Sequence, residues 1–104
     1  MAREQLQTLS EPMYYILLAL TDECCGVDIM QKVGDISRGR ITVGPGTCYA
    51  LLDKFLVSGL IVQTKAEGRR RSYIITQAGL EMLEREYERL EAMLAEGRAI
   101  LKKQ

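Results

Sequence analysis

Histidine and tryptophan are absent from this chain of 104 residues, and proline occurs only twice. Without histidine the chain lacks the usual general base, the usual activator of a nucleophile and the commonest metal ligand. The sequence also shows no nucleophile elbow and no paired carboxylates of the kind that line a catalytic cleft. We therefore expect a protein that is not an enzyme and that holds no metal ion or other cofactor.

Long hydrophobic runs are missing as well. The longest, residues 13–20, covers eight positions, whereas a membrane-spanning helix needs roughly 20. The first residues contain no apolar segment of the kind found in a signal peptide. We therefore predict a cytoplasmic protein that does not associate with a membrane.

Cysteine is scarce, and its spacing suggests no motif. Cys24 and Cys25 are neighbours, Cys48 stands alone, and no CxxC sequence occurs. Free cysteines most often pack as small apolar side chains, which is the interpretation we favour for all three. The alternative is a thiol-based response to redox state, or a three-cysteine metal sensor. Cys48 is the first redox candidate, because a position near a helix N-terminus lowers a thiol pKa.

Charge is balanced in total but not along the chain. The 14 basic and 14 acidic residues cancel. Residues 38–73, however, hold seven basic and two acidic side chains, a net charge of +5, against −4 for residues 1–37 and −1 for residues 74–104. A positive segment in the middle of the chain favours a polyanionic partner, although a solvated surface also produces such asymmetry by chance.

The first third of the chain has the pattern of two helices. Ser10 can cap a first helix, Glu11 and Pro12 suit its first turn, and residues 13–20 continue it with apolar side chains on nearly all sides. A second helix follows Gly26, because apolar residues recur at helical spacing in the segment VDIMQKVGDI. The β-branched residues 41–43 favour a very short strand after it.

A third helix follows the corner Gly44-Pro45-Gly46 and ends at residues 58–59. Its apolar face is expected to contain Cys48, Leu51, Leu52, Phe55 and Leu56, with Thr47, Ala50, Asp53, Lys54 and Val57 opposite and Tyr49 on the flank. Gly46 and the free N–H groups of the first turn could approach a phosphate closely. A nucleotide-binding P-loop is a weak alternative, because GxxxxGK[ST] is absent.

Two strand-like runs and a long helix complete the chain. Residues 60–64 and 72–75 read as a β-hairpin joined by the basic connection 65–71. Thr76 can cap the last helix, in which apolar residues repeat with heptad spacing. This predicted dimerisation seam consists of Leu80, Leu83, Tyr87, Leu90, Leu94 and Leu101.

The order of elements predicts a mainly α fold with a small β-hairpin wing, namely a winged helix-turn-helix with a long C-terminal dimerisation helix. We expect a DNA-binding domain over residues 1–76 and the dimerisation helix over residues 77–104. In this fold the third helix enters the major groove of DNA and the hairpin contacts the adjacent backbone.

Three segments, LSEPMYYILLAL, ITVGPGTCYALLDKFLVSGLI and EGRRRSYIITQAGLEML, resemble the PadR family of bacterial transcriptional regulators, in particular its short subgroup with one C-terminal helix. The resemblance implies a dimeric winged-helix repressor whose activity responds to a small molecule or to stress. It places Pro45, Gly46, Thr47 and Tyr49 on the recognition helix, and Arg69, Arg70, Arg71 and Tyr73 on the wing. The sequence departs from the family's common residues at Cys25 and Cys48.

Together these observations predict a sequence-specific regulator of transcription that binds an inverted repeat in double-stranded DNA as a homodimer, with a small-molecule effector as a further partner. The expected DNA-binding residues are Pro45, Gly46, Thr47, Tyr49, Ala50, Lys54, Arg69, Arg70, Arg71 and Tyr73. A dimeric interaction module that does not bind DNA is the alternative from another functional class.

Overall fold

The computed structural model describes residues 8–102, which form four helices and one three-stranded antiparallel sheet. In chain order the elements are α1 (Glu11–Ala19), β1 (Cys24–Cys25), α2 (Gly26–Ile36), α3 (Pro45–Val57), β2 (Ile61–Glu67), β3 (Arg70–Ile75) and α4 (Gln77–Leu101). The strand order in the sheet is β1-β3-β2. No helix in the described part of the chain combines the length and the apolar character needed to cross a membrane.

Caps fix where the helices begin. Ser10 accepts a hydrogen bond from the Met13 N–H at 3.4 Å, and Thr76 accepts one from the Gly79 N–H at 3.1 Å. Both predicted N-caps are therefore confirmed, and each satisfies a backbone donor that the helix itself cannot pair. α3 begins at Pro45, where the missing N–H costs no hydrogen bond.

The end of α3 is set by a glycine in the left-handed conformation. Gly59 has φ 75°, its N–H donates to the Leu56 carbonyl at 3.1 Å, and the Leu60 N–H donates to the Phe55 carbonyl at 2.9 Å. This pair of bonds is a Schellman motif, which uses the last free carbonyls of the helix. The predicted stop at residues 58–59 is confirmed, and the motif turns the chain directly into β2.

One hydrophobic core joins α1, α2 and α3 to the sheet. Its largest fully buried side chains are Phe55, Ile16, Leu17, Leu20, Ile29, Leu52, Ile61, Val33 and Cys48. Burial of a side chain of this kind contributes about 1.5–3 kcal/mol. The fold is therefore held mainly by the apolar faces that the helical periodicity predicts.

The third strand of the sheet differs from the prediction. β1 pairs with the middle of β3, whereas the strand predicted at residues 41–43 does not form. In that segment the Ile41 N–H donates to Ser37 Oγ at 3.0 Å, and Val43 is buried. Because the segment crosses from α2 to α3 without a strand beside it in the described structure, Val43 packs into the core, Ile41 packs against it, and Thr42 is exposed.

The hairpin is confirmed, but its strands are longer than predicted. β2 and β3 extend to within two residues of each other, so that only Gly68 and Arg69 form the turn. Gly68 has φ 62°, and a glycine with positive φ at the first of two turn positions fits a type II′ hairpin. Arg70 and Arg71, which were expected in the connection, therefore belong to β3.

α4 begins inside the core and then leaves it. Gly79, Met82, Leu83 and Glu86 are its buried residues. A Cβ on Gly79 would lie 2.1 Å from the Leu60 carbonyl oxygen, so that only glycine allows this close approach. Met82 and Leu83 in the first turns of α4 belong to the same hydrophobic core as the elements before residue 76.

Candidate nucleic-acid interface

The outer face of α3 is narrow and polar. Cys48, Leu52 and Phe55 are buried against the core, as predicted. The exposed residues on the other side are Thr47, Tyr49, Ala50, Asp53, Lys54 and Val57. The major groove of B-DNA is about 12 Å wide and accepts one α-helix, and these mostly short side chains leave the helix slim enough for it.

The N-terminus of α3 is uncovered. Gly44 is its N-cap and supplies no side-chain hydrogen bond. Pro45, Gly46 and Thr47 are exposed, and nothing lies within 4 Å of the Cβ position of Gly46. The backbone N–H groups of the first turn and the positive end of the helix dipole therefore face solvent, an arrangement that attracts anions.

Three arginines give the wing its charge. Arg69 lies in the turn, while Arg70 and Arg71 open β3, and all three are exposed. Arg70 forms an ion pair with Asp28 of α2 at 3.7 Å, and the two side chains are 61% and 63% exposed. Such exposed pairs contribute little to stability, so the pair can exchange for a phosphate contact.

The basic middle segment does not act as one patch. Arg40 pairs with Glu11 at 3.1 Å and donates to the Tyr15 hydroxyl at 2.9 Å, which directs it toward α1. Lys65 lies 3.9 Å from Glu23. The basic residues of this segment that form no ion pair within residues 8–102 are Arg38, Lys54, Arg69 and Arg71.

α2, α3 and the wing meet around one small cavity, which we call the junction cavity. It has a volume of about 160 Å³ and is lined by Gly26, Val27, Tyr49, Arg69, Arg71 and Tyr73. Four of these six residues were predicted as DNA-binding from separate parts of the sequence, and the fold brings them together. Gly26 and Val27 were missed, and the one available signal was a glycine directly before a helix.

Gly26 allows the two tyrosine rings to come close to the N-terminus of α2. A Cβ on Gly26 would lie 3.3 Å from Tyr49 Cε1, 3.6 Å from the Tyr49 hydroxyl oxygen and 3.5 Å from Tyr73 Cε2. Tyr49 is nevertheless 41% exposed. Its ring therefore leans against α2 while part of it remains open to a partner.

Tyr73, predicted as a DNA-binding residue, lies on the inner side of the wing and lines the junction cavity. Only 7% of it is exposed, because β3 turns this side chain inward at the point where it pairs with β1. Burial raises the pKa of the Tyr73 hydroxyl, Arg71 opposes this shift, and Asp53 and Tyr49 add to it. The hydroxyl has no hydrogen-bond partner among residues 8–102.

The predicted dimerisation seam divides into two parts. Leu83 is buried in the protein's own core and is therefore not exposed for contact with a partner. Leu80 is half-buried. The other four predicted residues are exposed, and they share the outer half of the helix with further apolar side chains. The exposed apolar residues of this outer half are Tyr87, Leu90, Met93, Leu94, Ile100 and Leu101.

A second cavity lies between α1 and α4, and we call it the interhelical cavity. It has a volume of about 380 Å³ and is lined by Leu9, Glu11, Tyr14, Tyr15, Arg40, Glu86, Arg89 and Leu90. Glu86 is 4% exposed and accepts a hydrogen bond from Arg89 Nε at 3.2 Å. The hydrogen bond from Arg89 lowers the pKa of Glu86, burial opposes this, and a backbone bond from Leu9 assists it.

Two of the three thiols, those of Cys24 and Cys48, are poorly placed for chemistry. Cys48 is fully buried, and burial raises its pKa, with a smaller contribution from the nearby Cys24. Burial also raises the pKa of Cys24. Both shifts reduce the reactive thiolate fraction, contrary to the helix N-terminus effect considered for Cys48. The described residues contain no group of three or more histidine, cysteine or acidic side chains arranged to hold a metal ion.

Solved structures share this architecture. A PadR family transcriptional regulator from Eggerthella lenta is 24% identical, with a TM-score of 0.69 and coverage of 89% of this chain and 82% of that one. F93 from STIV, a winged-helix DNA-binding protein, is 17% identical, with a TM-score of 0.65 and coverage of 80% and 91%. At such identities the likeness establishes the fold, which is the predicted winged helix with a β-wing.

Sequence comparison leads to a family. The "Transcriptional regulator YqjI" of Escherichia coli is 27% identical over 70 residues, which are 67% of this chain but only 34% of that protein. The chain thus matches about a third of the length of this relative. Residues 16–85, from the middle of α1 to the third turn of α4, match the transcriptional regulator PadR-like family. With the fold and this match in agreement, the chain belongs to the PadR-like family of transcriptional regulators.

Proposed function

We propose that this protein regulates transcription by binding duplex DNA in a sequence-specific manner, with α3 in the major groove and the β2–β3 wing on the adjacent backbone. The observation that carries this proposal is the convergence of the exposed α3 face and the wing arginines on one side of the molecule, around the junction cavity. Base contacts would come from Thr47, Tyr49, Ala50 and Lys54. Phosphate contacts would come from Pro45, Gly46, Arg69, Arg70 and Arg71. Tyr73 lies next to these residues in the junction cavity.

The protein is proposed to act as a homodimer through the outer half of α4. Six large apolar side chains on this half are between 37% and 74% exposed. Exposed contiguous apolar surface of this kind marks an interaction site. A second copy fits it because the apolar positions continue a heptad pattern, in which two identical helices pack their seams together. A two-fold dimer would then read an inverted repeat with half-sites about 10 base pairs apart.

Repression with release by a small molecule or a stress signal is the regulatory part of the proposal. The interhelical cavity supports it, because it offers phenolic and charged groups next to the helix proposed to hold the dimer. A ligand bound between α1 and α4 would alter the angle at which α4 leaves the core. Such a change would move the two DNA-binding domains relative to each other.

The test is binding to the DNA upstream of the protein's own coding region. Fluorescence anisotropy with that duplex and a scrambled duplex of the same composition should give an affinity ratio of at least 10³ at physiological salt, within the range of about 10³–10⁷ for specific binders. Equal and weak binding to both duplexes would contradict sequence-specific function. Dimerisation without any DNA binding would instead favour the interaction module.

A further inference from the structure

The N-terminus of α2 is uncapped and opens onto the junction cavity. Its N-cap, Cys25, makes no side-chain hydrogen bond to the first turn. The N–H groups at the start of a helix have no partner within that helix, and Gly26 and Val27, the first two helical residues, line the cavity. α2 has eleven residues, long enough for a positive dipole end that favours an anion there.

A buried donor without a partner faces the same space. Tyr73 lines the junction cavity while it is 7% exposed, and its hydroxyl is unpaired within residues 8–102. An unsatisfied buried hydroxyl costs about 1–3 kcal/mol, so native proteins normally satisfy such a group with a partner, a water or a ligand. The hydroxyl therefore points to a polar occupant that the protein chain does not supply.

The charges around the cavity favour an anion as that occupant. Arg69 and Arg71 line it and pair with no carboxylate in the described structure. The nearest acid on α2, Asp28, is held by Arg70 at 3.7 Å. Asp53 of α3 is close enough to raise the Tyr73 pKa and opposes the binding of an anion. Glu67 lies opposite Arg70 at the end of the hairpin.

We propose that the junction cavity is a phosphate-binding site, formed by the N-terminus of α2, the Tyr73 and Tyr49 hydroxyls, and the guanidinium groups of Arg69 and Arg71. Its ligand is a tetrahedral phosphate group, supplied either by the DNA backbone or as free inorganic phosphate. In the first case the inference rests on the proposed function, because it assigns one backbone phosphate to a pocket between the recognition helix and the wing.

Tyr73→Phe tests the site with the smallest change. The variant keeps the buried ring and removes only an unpaired hydroxyl, so its melting temperature in chloride should equal or exceed that of the wild type. Adding 50 mM phosphate at matched ionic strength should raise the wild-type melting temperature by about 2–5 °C more than that of the variant. General salting-in or salting-out effects act on both proteins and cancel in this difference.

DNA binding by the same variant tests whether the DNA backbone supplies the phosphate. Loss of a hydrogen bond to a charged group should weaken binding to the upstream and scrambled duplexes by about tenfold each, because a phosphate contact carries no sequence information. A series of duplexes with one methylphosphonate each should identify a position where neutralisation weakens the wild type but leaves Tyr73→Phe unaffected. That position is the phosphate seated in the cavity.

A matched pair at Cys25 tests the helix N-terminus separately. Cys25→Asp adds a capping carboxylate that competes for the free N–H groups, whereas Cys25→Ala removes the same thiol without adding one. Cys25→Asp should melt at a higher temperature than Cys25→Ala and bind DNA at least fivefold more weakly. Higher stability together with weaker binding is the result that a merely structural role would not produce.

The phosphate-stabilisation and DNA-binding experiments together identify the source of the ligand. Loss of both phosphate stabilisation and DNA affinity in Tyr73→Phe assigns the site to the DNA backbone, and loss of phosphate stabilisation alone assigns it to free phosphate. If neither changes, the site is not a phosphate site and the inference is overturned. Failure of the wild type to bind any duplex would contradict the proposed function, while the phosphate arm would still decide the site.

Discussion

The two halves of α4 have the same kind of sequence and opposite environments. Leu83 and Leu94 both lie on the heptad seam, yet Leu83 is 5% exposed and Leu94 is 62% exposed. The glycines differ in the same way, because Gly79 touches the Leu60 backbone while nothing lies within 4 Å of the Cβ position of Gly97. The difference teaches that one helix serves two purposes, closing the core first and presenting an apolar surface afterwards.

The boundary between the halves is marked by a buried charge. Glu86 is the last buried residue of α4, and Arg89 on the next turn binds its carboxylate. Beyond it the helix buries no side chain on its own domain in the described structure. Placing a paired carboxylate there lets the helix pass from the core to solvent without an orphaned polar group.

The largest effect is expected from a methyl group added in the inner half of α4, the part up to Glu86 that packs on the core. Gly79→Ala places a Cβ where the Leu60 carbonyl oxygen lies 2.1 Å away, so that α4 must move away from β2. We expect a loss of at least about 3 kcal/mol in the free energy of unfolding, measured by urea denaturation. Gly97→Ala is the matched control and should gain about 0.5–1 kcal/mol, since alanine favours a helix. Equal effects at the two positions would contradict the division of α4.

A charge in the outer half should break the proposed dimer without unfolding the protein. Leu94→Glu puts a carboxylate on the apolar surface, and the dimer should dissociate at least about 100-fold more readily in sedimentation experiments, because an unpaired buried charge is costly. Val57→Glu, at a residue of α3 that is 90% exposed, is the control and should leave the oligomeric state unchanged. A wild type that sediments as a monomer at micromolar concentration would remove the dimer from the proposal.

Changes on the wing should weaken DNA binding while leaving α4 and the dimer intact. Replacing Arg69, Arg70 and Arg71 by alanine should lower the affinity for every duplex and reduce the slope of log affinity against log salt by about 2–3, since each phosphate contact contributes about 0.9. Parallel slopes for the wild type and the triple variant would mean that the arginines do not touch the backbone. Sedimentation of the variant provides the control.

The smallest effect is expected at the boundary itself. The pKa of Glu86 is lowered in the folded protein, so its ionised form stabilises the fold above the usual glutamate pKa. That stability should disappear as the pH falls through the lowered value. Glu86→Gln cannot ionise, and its melting temperature should fall short of the wild type at pH 7 and approach it as the pH falls below the usual glutamate pKa. A constant difference across this range would show that the charge is not responsible.

Sequence reasoning succeeded where the cause is local. Ser10, Thr76 and the Gly59 stop act within a turn of their own helix, and the faces of α3 follow from helical periodicity over thirteen residues. The turn at Gly68 is likewise determined by a conformation that glycine adopts readily. Each of these could be predicted without knowledge of the rest of the chain.

Sequence reasoning failed where the cause is a distant partner. β1 exists because Cys24 and Cys25 meet β3, whose residues are more than forty positions away. The β-branched residues 41–43 have the β propensity but find no neighbouring strand within residues 8–102. The PadR resemblance places Tyr73 on the wing, but the sequence does not show that the pairing of β3 with β1 turns this side chain inward. The junction cavity could not be predicted, since it is formed by three elements that only the fold brings together.

The amino-acid sequence by itself determined the helices, their caps, the hairpin and the apolar faces, because propensity, capping and periodicity act within a few residues. Tertiary structure alone decided which apolar residues each face would meet. Heptad spacing is the same whether a leucine packs on its own domain or stays available for another copy, so Leu83 and Leu94 are indistinguishable in the sequence. Their difference arises from the Gly79 contact with Leu60, which ties only the first turns of α4 to the core.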